Sequence, residues 1–183
     1  MSNICSSCGK GCQSFPTRPS NVLLVRDSLW EDEITYKAFW EGKLGKYVFQ
    51  EFGVAGLNLK SLATTALWTH IPPKSKKTKE ERLRYKGCLD WSVAKIVELA
   101  KGKMVVCLMG VQVNKIFTKY NISDVYGLSL KSDLLPNVPV VLPMPDPKNL
   151  LNVPIGEMRL AIKRLKENLE AYEQYKNLNA GDD

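Results

Sequence analysis

Asp90–Met109, DWSVAKIVELAKGKMVVCLM, decides the fold. Its first part, Asp90–Lys101, is amphipathic, with Trp91, Ile96 and Leu99 among the apolar positions, and predicts a helix. Gly102 is the stop signal expected just past a helix end. Met104–Met109 then gives six apolar residues without alternation, the pattern of a strand buried on both faces. A helix running directly into a doubly buried strand is the repeating unit of a parallel sheet.

Working outward, the same grammar recurs. Asn21–Asp27 (NVLLVRD) and Leu62–Trp68 read as further strands, and Pro139–Leu142 as a fourth, with Pro143, Pro145 and Pro147 forming a stiff turn after it. Between them, Ser28–Glu33 reads as an acidic loop. Ile34–Phe52 reads as a helix that Gly42 and Gly45 weaken, and Val111–Tyr120 as another helix. The last element is a helix over residues 155–178. Met158, Ile162, Leu165, Leu169 and Tyr172 make one apolar stripe, expected to pack on the domain. The expected architecture is therefore a three-layer αβα sandwich around a central, mostly parallel four-stranded sheet. Ligands of such sheets sit beyond the carboxyl ends of the strands, after Val25, Leu67, Met109 and Leu142.

The chain has 183 residues, suited to a single domain over 1–183 with a cysteine-rich segment at 1–20. It is 44% hydrophobic and 25% charged, which excludes a disordered chain. The absence of an apolar N-terminal region or an 18-residue apolar run predicts an intracellular protein with no signal peptide and no membrane span. The net charge of +7 favours an anionic partner such as nucleic acid. Much of it falls in one segment, read as a loop, where Lys74, Lys76, Lys77, Lys79, Arg82, Arg84 and Lys86 lie within thirteen positions.

Five cysteines are present, three of them between Cys5 and Cys12. Without a secretory signal, clustered cysteines read as metal ligands rather than disulfides. Cys5 and Cys8 form a CxxC, which brings two thiolates to one turn. A site needs about four ligands, and Cys12, Cys88 and the chain's one histidine, His70, are candidates to complete it. Cys107, inside MVVCLM, reads as a core residue.

The order of these features resembles the iron–sulfur branch, family 4, of the uracil-DNA glycosylase superfamily. In that family a CxxC precedes a strand that ends in a GEAPG-like motif, followed by a phenylalanine. A later strand carries a TN dipeptide, then a KCRPP stretch and another cysteine opening a helix, and an HP motif comes near the end. Here the CxxC is Cys5–Cys8, and Arg26-Asp27-Ser28-Leu29-Trp30 stands at GEAPG. Phe39 stands at the stacking phenylalanine, and Thr65-Ala66 at TN. Thr69-His70-Ile71-Pro72-Pro73 stands at KCRPP, Cys88 at the last cysteine, and Asp146-Pro147 at HP.

The resemblance implies DNA as partner, a [4Fe-4S] cluster (zinc as alternative) on Cys5, Cys8, His70 and Cys88 with Cys12 as competitor, and a base pocket at Phe39 and Ala66. It also implies catalytic positions at Asp27 and Asp146. The departures imply lost or attenuated excision. Ala66 lacks the amide that reads a base edge. An ionised Asp146 repels the charge that develops on a departing base, unless its pKa is strongly raised. The expected function is thus a DNA-binding, glycosylase-like accessory or interaction module. An active DNA glycosylase of altered base specificity and a zinc-stabilised protein-interaction domain are the alternatives. Trp30, expected to be exposed, and the C-terminal stripe suit a protein partner.

Overall fold

The computed structural model describes Cys5, Ser7 and residues 19–69, 78–149 and 155–179. Four parallel strands form one sheet: β1 (Val22–Ser28), β2 (Ala63–Trp68), β3 (Val105–Met109) and β4 (Val140–Met144), in the spatial order β2-β1-β3-β4. The helices are α1 (Glu31–Tyr36), α2 (Gly42–Val54), α3 (Lys79–Leu99), α4 (Val111–Thr118) and α5 (Ile155–Asn179). Their side chains divide between two cores. Val22, Leu24, Val105, Cys107, Met109, Leu142 and Met144 meet Val48 and Phe52 of α2 and Met158, Ile162 and Leu165 of α5 on one face. Leu23, Val25, Leu67, Val106 and Leu108 meet Cys88 and Ile96 of α3 and Val113 and Phe117 of α4 on the other. This is the expected three-layer sandwich, and the two-residue period of each strand sends alternate side chains to opposite cores.

Several element limits differ from the sequence reading. The acidic stretch is helical from Glu31. The expected Ile34–Phe52 helix is instead two helices, broken where Lys37, Trp40 and Gly42 adopt positive φ. The strand expected to stop at Leu142 continues to Met144, with Pro143 inside it. Proline is tolerated there because β4 lies at the sheet edge, and its carbonyl still accepts a hydrogen bond from Gly127 N at 3.0 Å.

The final helix packs as its stripe predicts. Met158, Ala161, Ile162 and Leu165 are buried, and Leu169 and Tyr172 are partly buried against the same core. Arg159 joins α5 to Glu51 of α2 through hydrogen bonds of 2.8 and 3.2 Å. No helix among the described residues is long and apolar enough to cross a membrane.

Candidate functional site

Strand alternation decides where each polar side chain at the carboxyl end of β1 goes. Arg26 follows Val22 and Leu24 onto the α2/α5 face, while Asp27 follows Leu23 and Val25 onto the α4 face. Arg26 is fully buried. Its Nη1 donates to Glu33 Oε1 at 2.5 Å and its Nη2 to the Ser28 carbonyl at 3.1 Å. The guanidinium carbon lies 3.6 Å from the centre of the Trp30 ring and 4.9 Å from that of Trp40, and the two indoles meet edge to face. Burial pushes the Arg26 pKa down, and the Glu33 carboxylate opposes that shift. Glu33 also accepts from the backbone amides of Trp30 (2.9 Å) and Trp40 (2.8 Å), so one carboxylate fixes α1 and the turn after it.

These residues correct one expectation. Arg26 and Trp30 stand where the resembled motif has glycines, and both are buried in the core. Trp30 is only 6% exposed and offers no partner surface.

Asp27 caps α4. Its Oδ2 accepts from Gln112 N at 3.1 Å and its Oδ1 from Val113 N at 2.6 Å. Burial raises its pKa against the pull of those amides. The carboxylate lies flat on Gly110 (φ 129°), where an added Cβ would sit 2.4 Å from its Cγ. Only glycine allows both this backbone conformation and this approach. The same helix start carries Gln112, which accepts from Trp68 Nε1 at 2.7 Å and donates to Tyr85 Oη at 2.8 Å. The end of β2, α3 and α4 are thereby tied together beside Asp27.

Asp146 follows β4 and is 8% exposed. Its Oδ1 accepts from Lys148 N at 2.9 Å. Burial raises its pKa, and the Lys148 amide and Arg26 partly counter this. Asp146 in turn acts electrostatically on both Arg26 and Asp27. The two carboxylates singled out from the sequence thus share one electrostatic neighbourhood at the carboxyl ends of β1 and β4, with Arg26 and Gly110 beside them.

Phe39 and Ala66 are also brought together. They share a small apolar cluster with Leu29 and Ile34, in which Ala66 is 2% and Leu29 9% exposed. Ala66 is thus buried, with Leu29 beside it.

Cys5 and Cys88, 83 positions apart, are both buried with their sulfurs 3.5 Å from one another. Ser7 packs directly on Gly87, where an added Cβ would meet Ser7 Oγ at 2.1 Å. Cys107 is a buried core thiol, as expected, and burial pushes its pKa up. Cys8, Cys12 and His70 lie outside the described residues. Among the described residues no group of three or more His, Cys, Asp or Glu side chains is placed to hold a metal ion.

The basic segment divides similarly. Lys74, Lys76 and Lys77 lie outside the described residues, while Lys79, Arg82, Arg84 and Lys86 are exposed on α3. These four stand on a helix, where the sequence reading expected a loop. The helix starts at a capping box in which Thr78 Oγ1 accepts from Glu81 N and Glu81 Oε2 accepts from Thr78 N. Arg84 pairs with Glu80 at 2.6 Å, one turn away.

The Arg26–Glu33–Trp30–Trp40 constellation and the Gln112 link escaped the sequence reading. The one available signal for the first was an arginine at the end of an apolar strand with an acidic run shortly after it. No protein-family model matches the chain, and no curated protein matches it significantly.

Proposed function

We propose that the chain is a uracil-DNA glycosylase-like domain that binds DNA and has lost or attenuated base excision. The observation that carries this is the apolar cluster of Phe39, Ala66, Leu29 and Ile34. A flipped base needs an open slot with an aromatic floor and polar readers of its edge. At these positions the aromatic ring remains, and the reader is a buried alanine packed with Leu29. Asp27, at the position of the family's acid, is engaged through both oxygens in holding α4.

DNA binding rests on the chain's net charge of +7 and on the exposed cations of α3. Such contacts neutralise phosphates and release counterions, so binding tolerates any sequence and weakens steeply with salt. The reading places the protein inside the cell, where thiols stay reduced. A protein partner, if one is engaged, meets the exposed end of α5 at Tyr175 and Leu178 rather than Trp30.

One observation favours a second reading, an active glycosylase of altered specificity. Asp27 and Asp146 are two carboxylates at strand carboxyl ends whose pKa values burial pushes toward neutrality, as acid–base catalysts require.

Base release is measured on single- and double-stranded DNA carrying uracil or hypoxanthine, and affinity is measured across a salt series. The proposal expects salt-sensitive binding to every DNA and no released base. Turnover that Asp27→Asn abolishes establishes the second reading instead. Affinity that is flat with salt removes the phosphate-contact argument.

A further inference from the structure

The outward face of α2 gathers cations around an aromatic ring. Lys43, Lys46 and Phe49 are spaced three apart along the helix, so their side chains are neighbours in turn, and all three are exposed. Val48 and Phe52 take the inward face, against the sheet. Lys60 joins the group from the segment after α2. There Leu59–Ser61 forms one 3-10 turn, anchored by buried Leu59 and capped by Asn58, whose Oδ1 accepts from Lys60 N at 3.1 Å. The Lys60 ammonium lies over the Phe49 ring, 5.7 Å from its centre. No ion pair among the described residues involves Lys43, Lys46 or Lys60. Of the nearby carboxylates, Glu51 is taken by Arg159, and Asp32 lies against Gly42 at the start of the helix. One turn beyond Phe49 stands Gly53, where nothing lies within 4 Å of an added Cβ. Helical side chains lean toward the N-terminus, so glycine there leaves an approach to the ring open.

An exposed phenylalanine alone means little, since folded chains leave much apolar surface in water. Phe49 differs in its company: Lys46 one turn before it and Lys60 across its face, with no carboxylate answering either. Single nucleic-acid strands are held this way, by stacking bases on a ring while cations track the backbone. We infer that this face of α2 binds single-stranded nucleic acid, with one base stacked on Phe49 and the phosphates along Lys43, Lys46 and Lys60. A duplex does not suit it, because paired bases keep their faces against one another and give the ring nothing to stack on. An acidic peptide would answer the lysines and leave the ring unused. α2 and α3 pack on opposite faces of the sheet, so this contact is separate from the one proposed for α3 and stands without it.

The test measures affinity of the full chain for an oligothymidylate of about twelve nucleotides, for the same length of duplex, for an abasic oligonucleotide with as many phosphates, and for polyglutamate. Phe49→Leu keeps an apolar side chain and removes the ring. It is expected to weaken oligothymidylate binding by at least about fivefold and to leave duplex binding unchanged. The abasic strand should bind the parent chain more weakly than oligothymidylate does, and Phe49→Leu should erase that difference. Lys43→Gln, Lys46→Gln and Lys60→Gln combined should lower single-strand affinity and flatten its salt dependence. The combined Lys79→Gln, Arg82→Gln and Lys86→Gln variant should keep the response to Phe49→Leu, and its duplex affinity tests the α3 contact independently. The inference is overturned if the parent chain does not bind oligothymidylate, if it binds polyglutamate as tightly, or if the α3 variant abolishes single-strand binding while the α2 variants retain it. If Phe49→Leu fails to fold, the abasic comparison on the parent chain and the α2 lysine variant decide.

Discussion

At the scale of single residues, the buried pair Arg26–Glu33 governs the end of β1. Both side chains are fully buried, and the guanidinium is held by two indole rings as well as by the carboxylate. Removing one member of such a pair strands the other charge in a low-dielectric site, which costs about 3–5 kcal/mol. Glu33→Gln is therefore expected to lower the unfolding free energy by that amount in a urea titration. Replacing both members, as Arg26→Met with Glu33→Leu, is expected to recover most of the loss, because no charge is left behind.

Asp146 gives the opposite sign. Burial, the largest influence on it, raises its folded-state pKa above the unfolded value, so the native state holds its proton at pH values where the unfolded chain has lost it. Stability from this group is present below the unfolded pKa and declines as pH rises through the raised folded value. Asp146→Asn keeps an oxygen for the Lys148 amide and removes the desolvated charge. Its denaturation midpoint at neutral pH is expected to rise, and the decline in stability just above the ordinary carboxylate range to flatten. A lower neutral-pH midpoint in the variant would show that attraction to Arg26 outweighs desolvation. Residue 26 was legible as facing the same side as Val22 and Leu24 from strand alternation alone. Its partner was not, because a buried ion pair depends on where α1 lands.

At the scale of elements, α3 shows what periodicity misses. Its start at Lys79 is about three turns before the Asp90 expected from the apolar pattern. Lysines, arginines and glutamates dominate those turns, so the stretch reads as a solvated loop, although Thr78 and Glu81 spell a capping box. The helical assignment changes the DNA argument. Lys79, Arg82 and Lys86 are spaced three and four apart and so share one face, with Leu83 beside them, while Arg84 turns toward Glu80. If that face lies along the phosphates of a duplex, each contact contributes about −0.9 to the slope of log affinity against log salt. Neutralising Lys79, Arg82 and Lys86 to glutamine should therefore flatten the slope by up to about three times that value. Arg84→Gln should leave it nearly unchanged. Equal effects from both variants would mean that net charge, rather than a defined helix face, attracts the DNA. The break between α1 and α2 was half legible, since Gly42 and Gly45 weakened the helix, but the positive φ of Lys37 and Trp40 has no sequence marker.

For the whole molecule, the class of fold was legible and the order of strands was not. Apolar runs without alternation require a sheet covered on both faces, and hydrophobicity is a local property of each run. Placing β1 between β2 and β3 depends on how the connections cross, which no single run encodes. The same distinction applies to the candidate site. Sequence order named Asp27, Asp146, Phe39, Ala66, Cys5 and Cys88. That Phe39 and Ala66 join one apolar cluster, that Asp27 turns to α4, and that two cysteines 83 positions apart touch are consequences of packing.

The final helix makes this division testable along one element. Its first turns complete the core that α2 begins, and Leu165 is fully buried there. Its last turns face solvent, with Tyr175 65% and Leu178 78% exposed. Leu165→Ala removes buried methyl groups and leaves a cavity beside Met144 and Phe52's shared core, at a cost of about 2–5 kcal/mol. Leu178→Ala, the same chemical change on the same helix, should stay within about 0.5 kcal/mol, as surface substitutions do. Urea denaturation of the isolated protein measures both. A loss at Leu178 comparable to that at Leu165 would mean that the distal turn is covered in solution. Concentration-dependent stability would then identify a second copy of the chain as the cover.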